Sequence, residues 1–414
     1  MKSCSHPDDP VSVGATHALF WMFAANLVGV LLSVLLVFPQ LGVLFGEWTY
    51  GRWLPLHLNW QLYGWTSLPL VSWVFYLLPK SRSGLARASN IGVWAWSSVL
   101  AIGGLYWLSG HTSGKIFLDW TGCLRIIFPC VIFYLWAVLT IAWWRGEKRS
   151  WIGISGLLLL LSVPFAIYSA SDPAIYPVVD ESTGGPTGAS LLNSTLSVVF
   201  LMLVLPPALK VKSRSKKLVQ LVWIIFGLNF LLGIYSTTLP YSHFHSGQIA
   251  CLSSLGIWAF LLPYFYTQQS WHRPLVKWQV ATFVWLAILI CNGLVSFLPG
   301  ILDKIKFTDA LVAHSHLAMA GFTTSFLIFI LQQILPEKSS AIFQQSKLFY
   351  SWHTATATYI LTMLIAGVFE SGDSTFTIYP DILRDTLYGI RSLCGLFLLW
   401  VSFRWWRSLI HSQS

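Results

Sequence analysis

Long apolar segments recur along almost the whole chain, and they constrain its fold more than any other feature. Twelve segments are long enough to cross about 30 Å of hydrocarbon as helices. Their approximate limits are 17–44, 53–79, 89–109, 122–144, 151–170, 188–209, 217–239, 247–268, 275–299, 309–333, 347–369 and 385–410. Each is longer than a barrel strand and lacks alternating hydrophobicity. The sequence therefore predicts an all-α, polytopic membrane protein: a bundle of twelve transmembrane helices in a lipid bilayer.

Composition excludes the main alternatives. Of the 414 residues, 55% are hydrophobic and only 10% are charged, whereas about 25% of an ordinary soluble domain is charged. A soluble fold of this length has no interior large enough for so many apolar side chains, and the composition also excludes disorder and a coiled coil. The 6 cysteines show no CxxC or zinc-binding spacing.

The positions of the basic residues predict the orientation. With the N-terminus in the cytoplasm, 18 of the 25 Lys and Arg residues lie in cytoplasmic segments and seven lie outside, as the positive-inside rule requires. We therefore expect a cytoplasmic N-terminal tail at 1–16, a single membrane domain at 17–410 and a cytoplasmic tail at 411–414, in an inner (cytoplasmic) membrane. Because the net charge of +10 is scattered over these loops, no nucleic-acid partner is expected.

Five of the 11 histidines are predicted to lie at one depth, near the outer face: His57, His314, His316, His243 and His245. The others lie in tails, loops or span edges, where interfacial polar residues are common. Ionisable residues inside a membrane are costly and usually functional, so the five histidines are candidate metal ligands. On a helix, His314 and His316 point about 200° apart. They suit two planar haems on opposite sides of the helix better than one tetrahedral zinc.

Three motifs then carry a family resemblance. Residues 52–57 read RWLPLH, an Arg-x-x-Pro-x-His motif; residues 314–316 read HSH; and residues 390–395 read IRSLCG. In this order the sequence resembles catalytic subunit I of the haem–copper oxidase superfamily, nearest its C-type oxidases and the nitric oxide reductases. The resemblance implies a twelve-helix bundle of the cytochrome oxidase subunit I type.

The resemblance also implies cofactors and residue roles. A low-spin haem, expected to be b-type, would take His57 and His316 as axial ligands, with Arg391 near its propionates and Arg52 as a further cofactor-binding residue. A second, high-spin haem on His314 would bind dioxygen or nitric oxide, which makes His314 a candidate catalytic residue. The expected function is that of a respiratory oxidoreductase of the cytochrome c oxidase or nitric oxide reductase type.

The copper site of the family is where the sequence departs from the pattern. The family uses one histidine on its sixth span and a His-His pair near the outer end of the seventh, but the sixth span here has no histidine. The pair corresponds to 241–242 (Tyr-Ser) or to 242–243 (Ser-His), depending on the alignment, so the copper site is expected to be altered or absent. His243 and His245 remain candidates for joint metal binding. If the alignment is anchored on Pro240, Tyr235 falls at the family's active-site tyrosine.

Two other classes of function stay open from sequence. One is a non-redox transporter or a haem or gas sensor that retains the fold; the other is a purely structural subunit. A transporter usually has a polar site at the membrane midplane, and no charged residue lies deep in the twelve segments. The resemblance implies other respiratory-complex subunits as partners, and an electron donor on the outer face, either cytochrome c or a copper-domain subunit. Outer acidic residues such as Asp172, Glu370 and Asp381 would steer a basic donor.

Overall fold

The protein is helical along nearly all of its described length. The computed structural model describes residues 9–77, 83–115, 117–146, 151–179, 192–240, 242–271, 276–371 and 381–413. The α-helices are α1 Pro10–Val37, α2 Tyr50–Asn59, α3 Ser67–Tyr76, α4 Ser83–Leu108, α5 Leu124–Trp144, α6 Trp151–Ala170, α7 Leu192–Ala208, α8 Lys216–Ser236, α9 Ser246–Ser253, α10 Trp258–Thr267, α11 Val276–Ser296, α12 Leu302–Ile305, α13 Asp309–His316, α14 Thr324–Ile334, α15 Glu337–Ser340, α16 Ser346–Glu370 and α17 Asp381–Gln413.

Several short elements connect these helices. Pro39–Phe45, Ser254–Ile257 and Ala341–Gln344 are 3₁₀-helices, while Trp60–Thr66 and Leu317–Thr323 are π-helical. Two strands, β1 Lys212–Ser213 and β2 Gln269–Ser270, pair antiparallel. Such short strands leave the described part of the chain all-α in class.

Ten helices within the described ranges are long and apolar enough to cross a membrane, so the chain is a multi-pass membrane protein. Two of the twelve expected spans fall outside this set. The expected span 53–79 is the continuous helical stretch from α2 through the π-helical turns to α3, and the expected span 188–209 contains α7, which has 17 residues. Residues 78, 79 and 188–191 lie outside the described residues. A count of twelve spans stays a prediction.

The first helix and the first expected span differ in their limits. Helix α1 begins at Pro10 and ends at Val37, whereas the expected span runs over 17–44. Proline suits the first turn of a helix because its fixed φ is already helical and no donor is lost there. Val11 and Ala15 are buried, so residues 10–16 pack as part of the helix rather than forming a tail. Beyond Val37 the chain turns into the 3₁₀-helix Pro39–Phe45.

The chain divides into two compact units. The first comprises Met1–Val178, Ile330–Ala355 and Arg391–Ser414, and the second comprises Val179–Phe329 and Thr356–Ile390. Each unit has its own core of large aromatic side chains that are almost fully buried. In the first unit these are Trp65, Trp107, Trp120, Phe128, Phe343, Trp352 and Trp405, and in the second they are Trp258, Phe265, Tyr266, Trp278 and Phe329.

Candidate haem-ligand histidines

His57 lies in α2, in the first unit, and its orientation is set by the neighbouring helix α1. Its Nδ1 is 2.7 Å from the carbonyl oxygen of Ala25. Because a carbonyl only accepts, Nδ1–H is the donor and the lone pair of the neutral ring is on Nε2. Metal-bound histidines usually donate their other ring N–H in this way. A Cβ at Gly29 would lie 2.7 Å from His57 Cε1, so this glycine makes room for the ring.

The two arginines predicted to bind the cofactor, Arg391 and Arg52, occupy different surroundings. Arg391 begins the last segment of the first unit, is 8% exposed and interacts electrostatically with His57. Arg52 instead pairs with Glu47 at 3.4 Å and donates to the carbonyl of Leu108 at 3.2 Å. The structure therefore brings Arg391 close to a candidate ligand, whereas the partners of Arg52 are Glu47 and the carbonyl of Leu108.

His316 ends α13, in the second unit, and is held by its own helix. Its Nδ1 lies 2.9 Å from the carbonyl oxygen of Val312, four residues earlier. Tyr359 of α16 packs its ring on the imidazole with centroids 4.3 Å apart. Close packing between α16 and α13 explains this contact, because a side chain at Gly367 would collide with the backbone of Ala310.

His314 is held by a side chain rather than by the backbone. Its Nδ1 lies 2.6 Å from Oδ1 of Asn292 on α11, so the ring again donates through Nδ1 and carries its lone pair on Nε2. A Cβ at Gly293 would meet the His314 ring at 3.4 Å. Thr308 begins α13 by accepting a hydrogen bond from the backbone N–H of Ala310, which is a usual N-cap arrangement. His314 and His316 use partners on different elements, as expected for side chains that leave the helix on different faces.

A π-helical segment follows His57 and another follows the His314–His316 pair. Trp60–Thr66 begins three residues after His57, and Leu317–Thr323 begins directly after His316. Segments of this kind are rare and frequently occur at functional sites. Sequence analysis did not identify them.

His243 lies against a carboxylate rather than against another histidine. Its Nε2 is 2.9 Å from Oδ2 of Asp303, and Lys306 approaches the other oxygen at 3.6 Å. The hydrogen bond from His243 is the main reason that the pKa of Asp303 lies below its ordinary value. Within the described residues no three His, Cys, Asp or Glu side chains form a group that would hold a metal ion. Joint metal binding by His243 and His245 stays a prediction.

Tyr235 lies near the end of α8, and 54% of its surface is exposed within the chain. Its backbone carbonyl accepts a hydrogen bond from the hydroxyl of Thr238. The catalytic role of Tyr235 stays a prediction.

The structure thus shows the hydrogen-bond and packing partners of three imidazole rings that the sequence identified only as candidates. Sequence analysis did not identify the features that surround these rings: the carbonyl of Ala25, the space left by Gly29, the ring of Tyr359 and the amide of Asn292. Asn292 could have been identified as a candidate partner, because it is a polar residue within an apolar span. No sequence pattern identifies a backbone carbonyl as a partner. His57 lies in the first unit and His316 in the second, so their pairing on one haem stays a prediction.

Comparisons with known proteins bear on the resemblance. No family model matches the sequence. A cryo-EM structure of a haem–copper terminal oxidase dimer matches with a TM-score of 0.40 and 13% identity, covering 97% of this chain and 84% of that one. Cytochrome c oxidase subunit 1 of Rhodobacter capsulatus is 21% identical over 401 residues, which cover 88% of this chain and 75% of that protein. A cytochrome c oxidase subunit 1 homolog of Agrobacterium tumefaciens (strain T37) is 19% identical over 443 residues, covering 95% and 82%.

The two sequence matches extend over most of each protein. Both relatives are named as cytochrome c oxidase subunit 1 or a homolog of it, and the three motifs indicate the same family. The motif residues lie on helices α2, α13 and α17. The chain is a divergent protein similar to subunit I of the haem–copper oxidases.

Proposed function

We propose that this protein is a haem-binding subunit of a respiratory oxidoreductase, in which His57 and His316 are the axial ligands of a low-spin haem and His314 is the ligand of a high-spin haem. The observation that carries the proposal is shared by all three rings. In each, Nδ1 lies within 2.9 Å of an oxygen atom, on Ala25, Val312 or Asn292.

These residues fit a haem iron in chemical terms. An iron ligand must be a neutral imidazole with its lone pair on the nitrogen that faces the metal. The oxygen acceptors at Nδ1 fix that tautomer in all three rings, and they raise the basicity of Nε2. Haem held by two imidazoles supplies one-electron transfer. His314 would hold a second haem, which would bind dioxygen or nitric oxide.

The proposal assigns a charge-compensating role to Arg391. Its guanidinium is almost fully buried and acts electrostatically on His57. A buried cation is stable only when paired with acceptors or anions, and haem propionates are suitable anions. Electrons would enter on the outer face from cytochrome c or a copper-domain subunit. The second metal would be absent or altered, because His243 is engaged with Asp303.

Spectra of the purified protein test the proposal. We expect oxidised, reduced and reduced-plus-carbon-monoxide spectra to show two b-type haems per chain, one of which binds carbon monoxide, with little or no copper. His57→Ala and His316→Ala should each remove the low-spin spectrum, and His314→Ala should remove the carbon monoxide complex.

His353→Ala is the matched control. His353 is also a half-buried histidine on a membrane-spanning helix, but it is not a proposed ligand, so its loss should leave both spectra unchanged. A wild-type protein without haem would refute the proposed function. A low-spin spectrum that survives in both His57→Ala and His316→Ala would refute the ligand assignment alone.

A further inference from the structure

Asn26 of α1 joins three helical segments of the first unit at the turn that follows His57. Its Oδ1 accepts a hydrogen bond from Nε2 of Gln61 at 2.8 Å. Its Nδ2 donates to the hydroxyl of Ser402 on α17 at 3.2 Å. Both ends of the amide are therefore used, and each bond leads to a different segment.

The bond to Gln61 reaches the face of the helix that bears His57. Gln61 follows His57 by four residues, and side chains at this spacing lie on the same face one turn apart. Ala25, which accepts the hydrogen bond from His57, directly precedes Asn26. Helix α1 consequently holds the His57 segment at two successive turns, once through a backbone carbonyl and once through the Asn26 side chain.

The bond to Ser402 reaches the helix that bears Arg391. The two residues are eleven positions apart on α17, which is about three helical turns, so they share a face. Close packing holds α17 against α1. A Cβ at Gly395 would meet the side chain of Val30 at 3.3 Å, and the rings of Phe23 and Phe403 are 5.4 Å apart.

We propose that Asn26 is a positioning residue for the His57 ligand. It links the acceptor helix α1, the segment after the ligand and the helix of Arg391, and it thereby fixes both the plane of the imidazole and its separation from the guanidinium. This inference rests on the proposed function of His57. A purely structural role would affect only the stability of the bundle, whereas positioning also sets the electronic properties of the haem.

Asn26→Leu tests the inference because it removes both hydrogen bonds at a similar side-chain volume. We expect the variant to retain haem, to change the electron paramagnetic resonance g values of the oxidised low-spin haem, and to shift its midpoint potential. A tenfold change in the ratio of oxidised to reduced haem would correspond to a shift of about 59 mV for one electron. Ser402→Ala, which removes one bond of the two, should shift both readouts in the same direction by less.

Ser97→Ala is the matched control, because Ser97 of α4 also bonds to side chains of α1. The Ser97 hydroxyl binds His17 at 2.6 Å and Trp21 at 3.0 Å, so its loss also removes two side-chain bonds to α1 but leaves those to Gln61 and Ser402 in place. It should leave the g values and potential unchanged. If Asn26→Leu does not accumulate in membranes, Gln61→Met provides the same readouts.

Wild-type g values and potential in Asn26→Leu, or in Gln61→Met if that variant replaces it, would overturn the positioning role. So would an equal shift in Ser97→Ala. A wild-type protein that contains no haem would instead refute the proposed function, so the two failures are distinguishable.

Discussion

His57 and His314 have the same hydrogen-bonding pattern, but their acceptors differ in kind. His57 donates to the backbone of Ala25, whereas His314 donates to the side chain of Asn292. A backbone acceptor is present whatever residue occupies the position, while a side-chain acceptor depends on a single residue. The difference implies that the orientation of His57 withstands substitution at its acceptor, and that the properties of His314 can be changed by one substitution.

The largest effect on the haem spectra is expected from a substitution that fills the space beside the His57 ring and leaves its hydrogen bond unchanged. Gly29→Val would place side-chain atoms where a Cβ alone already lies 2.7 Å from the His57 ring. Overpacking of this kind costs about 1–3 kcal/mol and displaces neighbouring side chains. We expect the low-spin spectrum to be lost or strongly reduced, as measured by reduced-minus-oxidised difference spectra.

Gly227→Val is the control for this change. Gly227 lies within helix α8, and a Cβ there would meet nothing within 4 Å. An unchanged low-spin spectrum in Gly29→Val would show that the ring is not confined by α1.

A smaller effect is expected at the side-chain acceptor. Asn292→Leu leaves the Nδ1–H of His314 without its acceptor, which costs about 1–3 kcal/mol for a buried donor. The weaker ligand should raise the midpoint potential of the high-spin haem and lower the Fe–His stretching frequency in resonance Raman spectra. Asn292→Asp, a stronger acceptor, should shift both quantities in the opposite direction.

Asn229→Leu is the matched control for Asn292. Asn229 is also an asparagine of the second unit, and its Oδ1 accepts a hydrogen bond from Trp258 rather than from a candidate ligand. If Asn229→Leu and Asn292→Leu gave the same changes, His314 would not depend specifically on its side-chain acceptor.

Asp303 represents a third kind of acceptor, one that titrates. The hydrogen bond from His243 lowers the pKa of Asp303 from its ordinary value, which is about 4. A depressed carboxyl pKa contributes stability above the unfolded-state value, and this contribution is lost as the pH falls through the folded-state value. We expect Asp303→Asn to unfold at a lower temperature than the wild type at pH 7, and the difference to shrink as the pH falls below about 4 and Asp303 takes up a proton.

The haem spectra provide a second readout for Asp303, since they should be the same in Asp303→Asn and the wild type. Asp385→Asn is the control, because Asp385 pairs with Arg384 at an exposed position, where ion pairs contribute little. A difference between wild type and Asp303→Asn that did not shrink at all on acidification below about pH 4 would contradict the titration of this carboxylate.

The smallest spectral effect is expected at Ala25. Ala25→Gly keeps the carbonyl that His57 uses and costs about 1 kcal/mol in helix propensity. The low-spin spectrum and midpoint potential should equal those of the wild type, although thermal stability falls slightly. A potential shift as large as that of Asn292→Leu would remove the distinction between the two kinds of acceptor.

The sequence could single out candidate ligand histidines, whose role stays a prediction, but it could not predict how they are held. His57, His314 and His316 were identifiable because ionisable residues are rare in apolar spans. Their partners depend on how helices pack, as when α1 brings Ala25 to His57, and no local pattern specifies that contact. The true start of α1 was missed because residues 10–16 contain polar side chains typical of a tail. Only the structure shows Val11 and Ala15 buried.

The two π-helical segments have a consequence for how chains of this kind diverge. Each loop of π-helical hydrogen bonding spans one residue more than an α-helical loop. Deleting a single residue from Trp60–Thr66 or Leu317–Thr323 would therefore restore an ordinary α-helix and rotate everything beyond it, while the preceding histidine stayed in place. These segments are positions at which a membrane helix can gain or lose one residue without breaking. Related chains can keep their ligands aligned there while the register of the remaining helix drifts.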